Sequence, residues 1–142
     1  MFLRILSLLF VFSLVAVPFD LGAQDQKVTY KKARALQTST AKKIVKVVEA
    51  LERVDEEGKE DPDFETVKEI LNELLDKKDS LRSYDRSVMW NYWGYVYFSE
   101  ERFSDAMRAY RNLLAEPEST IPLRVASLYT LAQLNFVNED YE

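Results

Sequence analysis

The sequence predicts an all-α fold of antiparallel helical hairpins, and three observations carry that expectation. Apolar residues recur at spacings of three and four along most of the chain. Only three glycines and four prolines occur in 142 residues, too few for the turns of a β-sandwich or barrel. The chain is 47% hydrophobic and 30% charged, enough to bury a core and clothe it with charge.

The first stretch, residues 1–23, reads as an export signal. Arg4 is followed by thirteen apolar or small residues, Ile5 to Val17, too short a run to span a bilayer as a helix. Pro18 ends the run, and Leu21-Gly22-Ala23 places small residues before Gln24, which predicts cleavage after Ala23. An uncleaved N-terminal anchor is the alternative. Cleavage removes Arg4 and Asp20 and leaves the net charge at −5. The expected location is the periplasm, with membrane contact only through the signal or peripherally.

Residues 24–86 are expected to form an N-terminal hairpin. Ala33, Leu36, Thr40, Ile44, Val47, Leu51 and Val54 fall on one helical stripe, which predicts a first helix over about residues 29–55. Glu56 to Pro62 is charged, contains Gly58 and ends in Asp61-Pro62, an N-cap followed by a proline at the first helical position. Phe64, Val67, Ile70, Leu71, Leu74 and Leu75 then give a second apolar face to pack against the first. Lys27, Lys31, Lys32, Arg34, Lys42, Lys43 and Lys46 contribute seven positive charges with no acid among them, whereas residues 49–79 hold thirteen acids and five bases. This basic segment is either a solvated helix face or a surface for anionic lipid, glycan phosphate or an acidic partner, and no site is assigned to it.

Residues 87–120 carry the most regular pattern. Trp90, Trp93, Gly94 and Tyr97, then Phe103, Ala106, Tyr110 and Leu113, and last Pro117, make two stripes parted by a short turn at Ser99 to Glu101. Gly94 and Ala106 are small residues of the kind a close crossing of two helices requires, and Trp90, Trp93, Tyr97 and Tyr110 are bulky ones beside them. The pattern restarts over residues 125–142, where Leu128, Leu131-Ala132 and Tyr141 repeat the positions of Trp90, Trp93-Gly94 and Phe103 at an offset of 38 residues. Residues 121–124 add about one helical turn, with Thr120 as cap and Pro122 near the first position.

These residues resemble the tetratricopeptide repeat (TPR), a two-helix unit with a large–small pair in its first helix, alanine and an aromatic in its second, and a closing proline. Pro117 stands one residue before the usual place, Asn135 replaces an expected tyrosine, and residues 24–86 match only as a degenerate copy. The resemblance implies a right-handed α-solenoid, and Tyr141-Glu142 falls inside a further helix–turn–helix unit, so more repeats are expected beyond it. Tyr92-Trp93-Gly94-Tyr95-Val96-Tyr97-Phe98, residues 103–110 and residues 128–134 are similar to periplasmic TPR proteins associated with TonB energy-transduction systems. That likeness implies an accessory of a TonB/ExbB/ExbD-type inner-membrane complex in iron-chelate uptake. A scaffold for cell-wall synthesis, division or outer-membrane assembly is the alternative.

Within that family the first helices line the concave surface, and the corresponding positions here are Val88, Asn91, Tyr95 and Phe98, then Ala126, Tyr129, Gln133 and Phe136. The candidate groove is Asn91, Tyr95, Phe98, Tyr129, Gln133 and Phe136: aromatic anchors for a peptide, with two amides to bond its backbone. Two roles stay open to these aromatics, peptide anchoring and packing between neighbouring repeats. No lysine or arginine occupies the groove positions to clamp a partner's terminal carboxylate.

Catalysis is not expected. The chain has no cysteine and no histidine, which removes thiol nucleophiles, zinc sites of the usual ligands and imidazole acid–base chemistry. Acid pairs such as Glu56-Glu57 and Glu100-Glu101 are adjacent and point apart. No phosphate loop or metal-ligand spacing is present, so no cofactor and no metal are expected. The negative net charge argues against nucleic acid as a partner.

Overall fold

The computed structural model describes residues 35–139, and the regular elements among them are helices joined by short loops. The elements are α1 (Thr38–Leu51), α2 (Phe64–Leu75), α3 (Ser83–Ser99), α4 (Phe103–Ala115) and α5 (Ile121–Glu139), with a 3₁₀ turn at Lys78–Ser80 and an isolated bridge between Val54 and Glu60. The export signal with its cleavage point, the basic residues Lys27 to Arg34, and Tyr141 lie outside the described residues. No described helix is long and apolar enough to cross a membrane.

Helix α1 is shorter at both ends than the expected 29–55: residues 35–37 are not helical, and it runs Thr38–Leu51. After Leu51 the chain turns back on itself: Asp61 N–H donates to the Arg53 carbonyl at 2.9 Å, and the Asp55 carboxylate accepts from the N–H groups of Glu57 and Lys59. Gly58 closes this loop at φ +78°, a conformation that costs glycine little. The N-cap of α2 is Asp63 and not Asp61, because the Asp63 side chain accepts from Thr66 N at 3.0 Å. Arg53 holds both acids: its guanidinium donates to the carbonyl and carboxylate of Asp61 and to Asp63 Oδ2 at 3.1 Å, while Asp63 Oδ1 accepts from Thr66 N.

Helices α3 and α4 form a tight hairpin. The turn between them is a Schellman closure, in which Arg102 N donates to Tyr97 O at 2.9 Å and Glu101 N to Phe98 O at 3.0 Å. It requires a left-handed residue, and Glu101 supplies it at φ 59°. Helix α4 ends at Ala115, two residues before Pro117. Helix α5 opens at Ile121, one residue ahead of Pro122, and the carbonyl of Thr120 accepts from Arg124 N at 3.0 Å.

Consecutive helices pack against one another, and α3 also touches α5. One core joins Ile44 and Val47 of α1, Val67, Leu71 and Leu74 of α2, and Met89, Trp93 and Val96 of α3. A second joins Ala106, Met107 and Tyr110 of α4 to Leu131 and Leu134 of α5. Trp93 is buried, and Trp90 and Tyr97 pack half-buried against the first core. The face that α5 turns inward is Ser127, Leu131 and Leu134, whereas Leu128 and Ala132 are exposed.

Ion pairs stitch the helices at their edges. Lys43 pairs with Glu73 between α1 and α2, and Lys68 with Glu100 between α2 and the end of α3. Arg86 grips both oxygens of Glu116 at 2.7 Å, tying α3 to the residue that follows α4. Asp85, fully buried, accepts from Gln37 N at 2.8 Å and from Arg82 Nε at 3.0 Å, and Arg82 donates a further bond to the Ala35 carbonyl at 2.9 Å.

Candidate protein-binding site

The six groove residues fall into two sets, each placed by helical spacing. Asn91, Tyr95 and Phe98 stand four and three apart on α3, and Tyr129, Gln133 and Phe136 repeat that spacing on α5. The two sets differ in environment. Asn91, Tyr95 and Phe98 are half-buried, while Tyr129, Gln133 and Phe136 are exposed, the two rings at 67% and 68%.

The α3 set is anchored by neighbours. Tyr95 meets Phe64, the first residue of α2, with ring centroids 6.3 Å apart. Its phenol also acts on Tyr110, whose hydroxyl is pushed up to about 12, first by burial and then by Tyr95. Phe98 meets Phe103 across the α3–α4 turn at 6.0 Å and packs on the second core. Tyr95 and Phe98 therefore each have one side in protein and one toward solvent. The two rings of the α5 set are more open, with about two-thirds of each exposed.

Around this surface the charges are compensated. Lys68 bridges Glu65 and Glu100, and its hydrogen bond holds the Glu100 carboxyl below its ordinary value. Arg102 lies 4.5 Å from the centroid of Tyr97, itself stacked on Trp93 at 5.0 Å, and turns its guanidinium to Asp105. A peptide ligand would therefore be held by ring faces and amides more than by ion pairs.

A separate open depression of about 450 Å³ lies on another stripe of α3, lined by Lys78, Asp79, Arg86, Trp90, Asn112 and Glu116. Its strongest charges, Arg86 and Glu116, are already spent on each other. Among the described residues no cluster of three acids could hold a metal ion. Two features escaped the sequence reading. Phe64 backs Tyr95 from a different hairpin, and Tyr92 is buried far enough that its hydroxyl is pushed up. Phe64 was legible as core but not as a neighbour of Tyr95, since 31 residues separate them.

No family model matches the chain, and neither a curated protein nor a solved structure matches it.

Proposed function

We propose that the chain is a non-catalytic protein-binding scaffold of the TPR type, with its hairpins stacked as a right-handed solenoid. In this reading it is exported to the periplasm and serves as an accessory of a TonB-dependent transport system. One observation supports the repeat reading above the others: Tyr110 of α4 fills the space left by the missing side chain of Gly94 on α3. A large–small pair in one helix meeting an aromatic of the next is the contact on which the repeat depends. The order of packing, each helix on its successor with α3 reaching α5, agrees with stacked hairpins. The exposed rings Tyr129 and Phe136 beside Gln133 offer the peptide surface. The TonB assignment rests on the sequence resemblance of residues 92–98, 103–110 and 128–134.

The test places a photo-crosslinking amino acid at Gln133 and, separately, at Asn91 of the full chain in living cells, with captured proteins identified by mass spectrometry. Capture of an inner-membrane TonB, ExbB or ExbD component is the expected result. Capture of wall-synthesis, division or outer-membrane assembly proteins keeps the scaffold and overturns the TonB assignment. Absence of capture at both positions overturns the groove.

A further inference from the structure

The depression of about 450 Å³ over α3 is lined from three places in the chain. Helix α3 contributes Arg86 and Trp90, one turn apart; the 3₁₀ turn contributes Lys78 and Asp79; α4 and its C-cap contribute Asn112 and Glu116. Trp90 precedes Asn91 by one residue, about 100° around α3, so the depression opens on another side of that helix than the candidate groove. It also lies away from α5. Asn112 and Glu116 follow Ala109 by three and seven residues and share its stripe, and Ala109 belongs to the first core, whereas the stripe of α4 that joins the second core carries Met107 and Leu114. The lining therefore comes entirely from the stretch between Lys78 and Glu116 and owes nothing to the exposed side of α5.

Its charges balance, with the cations Lys78 and Arg86 against the carboxylates of Asp79 and Glu116. A phosphate or carboxylate ligand would have to displace Glu116 from its two-bond grip on Arg86. An apolar ligand would strip water from four charged groups and replace none of it. A ligand of neutral hydroxyls meets neither obstacle. Arg86 uses three of the five N–H donors of a guanidinium, two on Glu116 and one on the Leu81 carbonyl, and Glu116 accepts one of these bonds on each oxygen where a carboxylate offers about four sites. Among the described residues, the side chains of Lys78, Asp79 and Asn112 make no hydrogen bond. The Asn112 amide carries a donor and an acceptor side by side, a pattern that two adjacent hydroxyls complete. Trp90 is half-buried: part of its indole packs on the first core and the rest lines the depression. The negative face of an indole attracts the weakly positive C–H bonds that one side of a pyranose ring presents. A few polar groups converging beside an aromatic, in a cleft of this size, is the make-up of a small-molecule site.

We propose that this depression binds a neutral saccharide, with one pyranose ring lying on Trp90 and its hydroxyls shared among Asn112, Lys78 and the unused donors and acceptors of the Arg86–Glu116 pair. The pair then has two roles, closing α3 onto the end of α4 and presenting a fixed polar edge to the sugar. No residue is common to this site and the peptide surface, so either stands without the other.

Titration of the full chain with maltose, cellobiose and N,N′-diacetylchitobiose tests the proposal, read by tryptophan fluorescence and by saturation-transfer NMR. The chain has two tryptophans and Trp93 is buried, so a change in emission reports chiefly on Trp90. At least one disaccharide is expected to bind with a Kd on the order of 1 mM, and sorbitol, which has the hydroxyls without the ring, at least ~10-fold more weakly. Asn112→Ala and, separately, Trp90→Leu are each expected to weaken binding at least ~10-fold by NMR with helix content by circular dichroism unchanged. Should Trp90→Leu fail to fold, Asn112→Ala decides. Absence of binding by all three disaccharides up to ~50 mM, sorbitol bound as well as the sugars, an affinity undiminished in a folded variant, or inorganic phosphate bound in preference overturns the proposal.

Discussion

The ring of Tyr110 occupies the place where a β-carbon at position 94 would stand: one built on Gly94 comes within 2.6 Å of Tyr110 Cζ and 2.9 Å of Cε2. Tyr110 is 6% exposed and sits in the second core, so its ring has little room to retreat. Alanine is favoured over glycine inside a helix by about 1 kcal/mol, yet overpacking of a core costs about 1–3 kcal/mol. Gly94→Ala is therefore expected to destabilise the fold by about 1–2 kcal/mol in urea unfolding. In a Tyr110→Leu background, where the clashing ring atoms are gone, the same change is expected to be neutral or stabilising. Additive effects of the two substitutions would count against this contact.

The turn after α3 holds a non-glycine residue at positive φ. Glu101 pays for the left-handed conformation that its Schellman bonds demand, without the conformational ease of glycine. Glu101→Gly should raise the melting temperature. Glu101→Val should lower it, because a β-branched side chain tolerates this region least. A melting temperature raised by valine would mean that the turn is not left-handed in solution.

Alkaline pH should loosen the α3–α4 hairpin. The Tyr110 hydroxyl has an ordinary value of 10.0 and is pushed up to about 12 by burial. Below pH 10 both folded and unfolded chains keep the proton, and the stabilisation is fully present. Between about pH 10 and 12 the unfolded chain releases it first, so stability falls with rising pH by on the order of 2–3 kcal/mol. Tyr110→Phe should remove most of that slope in unfolding titrations at pH 9, 10 and 11; a slope unchanged by the substitution would assign it to other groups.

Arg86 and Glu116 meet through two bonds of 2.7 Å, and Arg86 donates a third to the Leu81 carbonyl at 2.6 Å. Glu116→Ala should cost about 1–3 kcal/mol, since it leaves a partly buried guanidinium without its counter-ion. Pairing it with Arg86→Met should recover part of that loss. Double-mutant-cycle coupling near zero would show that the pair contributes nothing measurable.

The parts of the fold legible in the sequence are those set by contacts between near neighbours. Gly94 and Ala106 announce a close helix crossing because only small residues permit one, and Phe103 to Pro117 frames α4 by its stripe and its stop. The N-cap of α2 was not legible: Asp61 and Asp63 are both good caps, and Arg53, eight and ten residues upstream, bonds to both. Asp85 has the sequence position of a surface charge near a helix start, yet it is buried and accepts a bond from Gln37, 48 residues away. On α5 both faces are apolar, so periodicity could not say which one α4 covers. The candidate groove residues were legible as a spacing on each helix, but the Phe64 ring behind Tyr95 depends on how one hairpin rests on the next.

The buried Asp85 has a mechanical consequence. With Arg82 it grips the backbone of Ala35 and Gln37 just before α1 begins. Tension applied to the chain upstream of Ala35 is thus delivered first to α3, in the middle of the helical series, and not to the outer turn of α1. The fold would bear such a load in shear, across a clasp of two bonds braced by the Arg82–Asp85 pair, instead of peeling open one helical turn at a time.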